Sequence, residues 1–270
     1  MVISLSKWPP RRRPNTTGSR TAPKPFVTDA QWAVLKDLFP DPPPTSIGGR
    51  PRVTPRACLE GIIWVLKNGA RWQDLPARYP SSSTCWRRHR DWTESGVWEE
   101  AWKRLLDRMD RRKLLHRSEA MGDGTFSPAK KRGLDVGKTK RGKGTKIMLM
   151  VDGRGTPLSI FRLSANFAEV NTIETLVDIR VTKRMPKRMI YDRAADADWL
   201  RERLGARNVE LICPHRRGRK RKATQDGRPF RRCRKRWIVE RTIAWLFNFR
   251  RLIVRHEYHA QLFEGFVQLA

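Results

Sequence analysis

Apolar residues recur at helical spacing in three stretches of the first 110 residues. Trp32, Leu35 and Leu38 form the first, with Thr28 placed as its N-cap and Pro40 closing it. Leu59, Ile62, Ile63 and Leu66 form the second, which Gly69 breaks, and Trp98, Trp102, Leu105 and Leu106 form a third over residues 97–109. Between the last two, the SSST run at 81–84 offers N-caps for a helix STCWRRHRDW. After Arg117 the period changes. EAMGDGTF reads as a short strand broken by Gly-Asp-Gly, and KIMLMVD and PLSIFRLS, joined by GRGT, read as a hairpin. EVNTIETLVDIRV is helical, RMIYD is a strand, DADWLRERLG is a helix ending at Gly205, and VELICPH is a last strand. Residues 231–252 contain no Gly or Pro and follow Pro229, which predicts one uninterrupted helix with Arg236, Val239, Ile243, Leu246 and Phe247 on a shared face. This order predicts an all-α N-terminal region followed by a mixed α/β domain with a central sheet of about five strands.

Composition divides the chain further. Residues 1–25 are rich in Pro, Arg, Ser and Thr with little to bury, and are expected to be a disordered basic arm lacking the apolar run of a signal peptide. Residues 26–116 are expected to be the helical domain and residues 117–270 the α/β domain. No apolar run reaches the ~18–20 residues of a membrane span, so no membrane partner is expected. Cys58, Cys85, Cys213 and Cys233 show no paired spacing, which predicts free thiols in a cytoplasmic protein rather than a zinc site. No Walker loop is present.

Charge points to the partner. The 58 Lys+Arg outnumber the 27 Asp+Glu, a formal charge of +31 and a pI near 11.3. A surplus spread over every segment is suited to a polyanion, with double-stranded DNA as the first expectation and a nucleoid-associated location to match. Arg87, Arg88 and Arg90 cluster on the helix that follows the SSST run, as on the recognition helix of a helix-turn-helix reader. The Gly-spaced stretch KKRGLDVGKTKRGKGTK adds Lys130, Lys131, Lys138 and Lys140 as DNA contacts on what reads as a long loop.

Against this background the acids stand out. Glu240 is the only carboxylate between Asp226 and Glu257, and the simplest reading pairs it with Arg236 one helical turn earlier. The alternative makes it a ligand. Asp123 and Asp192 fall at expected strand ends, where open α/β folds collect ligand chemistry. Three carboxylates converging from two strands and a helix suit a hard cation, Mg²⁺ or Mn²⁺. Two such ions roughly 3.5–4 Å apart serve the attacking and leaving oxygens of a phosphodiester. Asp152 belongs to a turn composition, VDGRGTP, that needs no function, and a lone His215 at a strand end reads as structural.

The segments GDGTFSPAKK, VGKTKRGKGTKIMLMVDGRGTPLSI, IYDRAADAD, ELICPHRR and RWIVERTIAWLFNFRRL together resemble the transposases of the insertion-sequence-five family. FVTDAQWAVL, GGRPR, ARWQDLP and SSSTCWRRHRDW resemble that family's N-terminal DNA-binding region, so the resemblance spans residues 26–270. It implies a ribonuclease-H-like catalytic domain of the DDE type, whose acids fall on Asp123, Asp192 and Glu240, 69 and 48 positions apart (192 − 123 and 240 − 192). Arg236 matches the Arg of the signature around that Glu; Cys233 stands where the signature has Tyr, and Phe247 where it has a basic residue. The implied activity is metal-dependent cleavage at terminal inverted repeats followed by strand transfer, with two Mg²⁺ or Mn²⁺ ions and a homodimer or higher oligomer on DNA. A sequence-specific DNA-binding protein or repressor that keeps the fold without turnover is the runner-up, and an RNA-binding basic protein is a third reading that the acid triad disfavours.

Overall fold

The computed structural model describes residues 24–39, 52–220, 222–225 and 227–270. Most of the expected basic arm (residues 1–23) and of the Pro/Gly linker (residues 40–51) lies outside them.

The first helices begin where their capping residues stand. Helix α1 (Asp29–Leu35) has Thr28 and Gln31 in a reciprocal capping box, α2 (Pro55–Asn68) has Thr54 as N-cap and Pro55 in its first turn, and α3 (Ser82–Glu94) is capped by Ser81. Helix α4 (Val97–Arg111) completes the helical region. Its core joins Phe39, Trp92 and Trp98 edge-to-face, with ring centroids 4.8 Å (Phe39–Trp92) and 5.6 Å (Trp92–Trp98) apart.

The α/β part has six strands among the described residues, one more than expected. Strand β1 (Glu119–Pro128) pairs antiparallel with β3 (Gly142–Asp152), and β3 pairs antiparallel with β4 (Pro157–Ser164). On the other side β1 pairs parallel with β5 (Arg188–Ile190), which pairs parallel with β6 (Glu210–Ile212). The extra strand is β2 (Gly137–Thr139), which turns tightly into β3 within the stretch expected as a loop. Helices α5 (Ile173–Asp178) and α6 (Asp198–Gly205) carry the crossovers. The mixed α/β sheet and the helical N-terminal region expected from the sequence are both present.

Two expectations are corrected. Gly-Asp-Gly does not break β1: its ten residues run continuously, with Asp123 opposite Leu149 in mid-strand rather than at the strand end. The long C-terminal helix is segmented. Helix α7 (Gly227–Arg231) passes through a 3-10 turn at Arg232–Arg236 into α8 (Trp237–Leu246), and the chain becomes extended at Phe249 before α9 (Arg250–Ile253). The break lets Arg250 reach Gly69 at the end of α2, where a Cβ would lie 3.0 Å from that of Arg250.

The last helix, α10 (Ala260–Leu269), crosses back over the expected boundary at residues 116/117 and packs on α3 and α4. His89, which the sequence groups with its neighbouring arginines, points inward here. It is 1% exposed, stacks on Phe266 at 4.1 Å, and its Nε2 is 3.0 Å from the Leu262 carbonyl, to which the neutral ring donates. Gly265 permits this approach, since a Cβ there would come within 2.4 Å of Thr93 Oγ1. Val27, Leu66, Trp98, Leu149, Val239 and Phe266 consequently share one core cluster.

Candidate active site

Asp123 emerges from mid-β1, Asp192 lies two residues beyond β5, and Glu240 is on α8. Helix α8 lies over β1 and β3, held there by Ile238, Val239 and Thr242 on its buried face. Glu119, buried at the start of β1, fixes the approach by pairing with Arg232 and with Lys235 (2.7 Å), so basic residues ahead of α8 turn inward onto the sheet.

The structure links Asp123 and Glu240 through one guanidinium. Arg236 Nη2 is 3.3 Å from Asp123 Oδ2 and 3.6 Å from Glu240 Oε1. The ion pair read from the sequence is present, and the same arginine reaches the acid from β1. Asp123 is 18% exposed, whereas Glu240 is 57% exposed. Burial pushes the Asp123 carboxyl up; the Gly124 amide and Arg236 oppose that, while the charges of Asp192 and Glu169 add to it. Asp192 caps the following turn, its Oδ1 accepting from the Ala194 amide at 2.7 Å.

Glu169 is a neighbour that sequence reasoning missed. Its Oε1 is 3.1 Å from Lys146 Nζ, and its Oε2 accepts from the Tyr191 hydroxyl at 3.4 Å. A Cβ on Gly124 would lie 2.9 Å from Glu169 Oε1, and one on Gly122 would lie 2.6 Å from the Tyr191 ring. The glycines flanking Asp123 thus admit Glu169 and Tyr191 against β1. Burial, then the charges of Glu169, Asp123 and Asp192, push the Tyr191 hydroxyl well up, so it stays protonated. Glu169 had no sequence signal, since only the pairing of β4, β3 and β1 brings it near Asp123.

The turn behind Asp192 has its own support. Arg216 donates to the carbonyls of Ala194 (2.9 Å) and Arg193 (3.5 Å), while its amide donates to Asp196 Oδ2 at 2.6 Å. Asp196 also receives Arg201 (2.7 Å) and His215 Nδ1 (3.1 Å), which gives His215 the structural place expected of it. Burial works against ionisation of Asp196, but the Arg216 amide, His215 and Arg201 outweigh it and hold the carboxyl down at about 2. Asp152 accepts from the amides of His116, Arg154 and Thr156 at 2.7, 3.0 and 2.8 Å, a buried turn-former distant in role from the acids above.

Two buried groups predict the acid response. His89 is held down at about 4, mainly by burial, against an ordinary 6.5. The neutral ring is fully accommodated above pH 6.5, and about 3 kcal/mol of stability is lost as pH falls through 4, because the unfolded chain takes up its proton first. Asp196 adds a lower window: about 2 kcal/mol disappears between pH 3.8 and 2. Urea unfolding across pH 8 to 3 measures the first window, which His89→Gln should remove.

The expected DNA contacts divide. Arg87 is exposed on α3, Arg88 is half-buried, and Arg90 pairs with Asp91 at 2.7 Å and lies over Trp86. Lys130, Lys131, Lys138 and Lys140 are all exposed, the last two on β2 and its turn. All four cysteines are free. No helix among the described residues is long and apolar enough to cross a membrane.

Residues 27–102 match the family described as "Putative transposase of IS4/5 family", and residues 99–270 match the family described as "Transposase DDE domain". The chain is 39% identical over 120 residues to the insertion element IS402 uncharacterized 16.2 kDa protein of Burkholderia cepacia, covering 43% of this chain and 82% of that protein. It is 34% identical over 134 residues to the "Putative transposase for insertion sequence element IS402" of the same organism, covering 47% of this chain and 60% of that one. Among solved structures, the piggyBac transposase synaptic complex with hairpin DNA aligns with a TM-score of 0.49 at 9% identity, over 87% of this chain and 68% of that chain. The catalytic domain of Mos1 mariner transposase aligns with a TM-score of 0.24 at 17% identity, over 64% of this chain and 86% of that one. The DDE match alone spans more than half of the sequence, and the chain therefore belongs to the DDE transposases of insertion sequences.

Proposed function

We propose that this transposase binds the terminal inverted repeats of its element, cuts the DNA there with Asp123, Asp192 and Glu240, and joins the freed strand to a target. The single observation that carries the site assignment is Arg236, whose guanidinium joins the acid of β1 to the acid of α8. That contact supports a common site for residues 117 positions apart (240 − 123).

The family implies a divalent metal ion, and the donor set is compatible with one. The donors are carboxylate oxygens, the choice of Mg²⁺ or Mn²⁺, and Asp192 and Glu169 place further negative charge near Asp123, which would favour a cation. Among the described residues no three His, Cys, Asp or Glu side chains stand close enough to hold a metal as they are. Arg236 lies between two of the three. Asp123 and Asp192 would hold the first ion, and Glu240, the most exposed of the acids, would join as Arg236 gives way. The ion, with a second beside it, would supply charge to the attacking and leaving oxygens of the phosphodiester. The protein's own part is to seat the phosphate: Arg236, once released, faces it, and the Asp196–Arg216 support keeps the Asp192 turn from moving under load.

DNA reading is assigned to α3, with Arg87, Arg88 and Arg90, and tracking of the duplex to Lys130, Lys131, Lys138 and Lys140. Binding should weaken steeply with salt, because each phosphate contact releases counterions. Arg87→Ala should discriminate less between end DNA and a scrambled duplex by roughly 1–3 kcal/mol if it reads a base edge. Lys138→Ala should weaken both alike. Equal binding of the wild-type protein to both duplexes at matched salt removes α3 from sequence reading. The proposal as a whole is tested by nicking of labelled end DNA with Mg²⁺ or Mn²⁺, against Ca²⁺ as the ion that permits binding with poor turnover. Tight binding without nicking in either active metal overturns the catalytic reading in favour of a repressor. A homodimer or higher oligomer, formed on the DNA ends, completes the proposal and is read by sedimentation with and without duplex.

A further inference from the structure

The solvent face of α8 carries two tryptophans that the chemistry above does not use. Trp237 and Trp245 are 54% and 56% exposed, although they sit on the helix that bears Glu240. Arg241 lies between them, its guanidinium 4.8 Å from the Trp237 ring centroid and 4.7 Å from that of Trp245. Arg241 is itself fixed, donating through Nη2 to the Arg154 carbonyl at 2.7 Å. The two rings are therefore held one helical turn either side of a guanidinium that covers one face of each. Their exposure leaves the outer ring surfaces open. Exposed Arg234 and Asn248 extend the same stripe at either end, at spacings of three, four, four and three residues.

We propose that this Trp237–Arg241–Trp245 ladder is a stacking platform for unpaired bases of a DNA strand. Three observations select that occupant. Flat rings backed by a guanidinium offer what a base face binds, and stacking of this kind is independent of sequence. A paired base inside a duplex has no free face, so the ligand is a strand with open bases. The stripe is basic in a chain of +31, which attracts a phosphate backbone and repels a second copy presenting the same face. Trp237 is three residues before Glu240, hence its neighbour on the helix surface, so the platform adjoins the acid. The inference rests on the proposed function for the origin of the strand: bases beside the phosphodiester that Glu240 serves.

The test uses the full chain with Ca²⁺ and a duplex bearing a single-stranded DNA extension that contains 2-aminopurine, whose fluorescence is quenched by stacking. Wild-type protein should quench it. Trp237→Ala and Trp245→Ala should each weaken binding to the extension roughly 5- to 150-fold, the ratio corresponding to about 1–3 kcal/mol per stacked base. Trp237→Phe should retain most of the quenching, and binding of a blunt duplex should not change in any of the three. Undiminished quenching in the double alanine variant overturns the platform, as does equal loss of blunt-duplex binding. A shift in sedimentation with quenching intact assigns the face to self-association instead, and stronger quenching of an RNA extension overturns the choice of DNA. No cleavage is needed, so failure of the nicking assay leaves this result standing, and the reverse holds equally.

Discussion

Asp123→Asn, Asp192→Asn and Glu240→Gln should each abolish nicking of end DNA while leaving the duplex bound. Each change keeps the side chain's shape and removes one anionic ligand, so several kcal/mol of charge stabilisation is lost in the transition state, at least about a thousandfold in rate. Affinity for DNA should hold or rise, since a negative charge beside phosphate disappears. The variants differ before any DNA is added. Asp123 and Glu240 share Arg236, so either of their substitutions takes away one of its two counter-charges, whereas Asp192→Asn leaves both in place. Arg236→Gln separates the roles: it should tighten Mn²⁺ binding, by clearing the space between two acids, yet slow cleavage by removing a phosphate contact. Nicking rates, Mn²⁺ titration and duplex affinity measured on one set of variants decide the matter. Nicking that survives Asp192→Asn takes Asp192 out of the site. Asp152→Asn is not a silent control, because its carboxylate accepts three amides inside a turn; its loss should appear in stability rather than in cleavage per folded molecule.

The second large effect concerns the joint between the helices and the sheet. Glu257→Ala should destabilise the protein by roughly 3–5 kcal/mol, because it strands a buried charge. Arg251 and Glu257 are 7% and 5% exposed and meet at 2.7 Å, and Arg251 Nη1 also donates to the Ala70 carbonyl just beyond α2, at 2.7 Å. Without Glu257 the guanidinium keeps its desolvation but loses its counter-charge. In a chain of this size the melting temperature should fall by roughly 10 °C. Replacing both partners, Arg251→Met with Glu257→Leu, should recover much of the loss, since no buried charge then remains. A fall below about 1 kcal/mol in Glu257→Ala alone would show that the pair is hydrated and not structural.

What could be read along the chain was whatever short-range chemistry governs. Thr28 and Ser81 start helices because their side chains satisfy local amides, and the β3–β4 hairpin follows from its apolar runs and Gly-rich turn. Glu240 stands out in the sequence as a lone acid in a basic stretch, whereas Asp123, expected at a strand end, lies in mid-β1. The misreadings have long-range causes. Gly-Asp-Gly looked like a break because the partners that fill the space beside Gly122 and Gly124 come from Tyr191 and Glu169, far along the chain. The final helix looked continuous because its interruption at Phe249 has no Gly or Pro and serves the meeting of α9 with α2. His89 stands among arginines in the sequence, and its inward place cannot be read there because the ring it stacks on belongs to Phe266.

That last contact ties the helical region to the order in which the protein is made. Helices α1 to α4 leave the ribosome first, but the surface around His89 is covered only by α10, about 150 residues after α4 ends (260 − 111). At elongation rates of about 5–20 residues per second, the nascent helices spend roughly 7–30 s with that apolar face open. Until α10 arrives, Trp72, His89 and Trp98 present a surface for a chaperone to cover. The same delay means that a chain interrupted after Glu240 but before residue 260 would contain every candidate catalytic acid and still lack the helix that closes the N-terminal helical region.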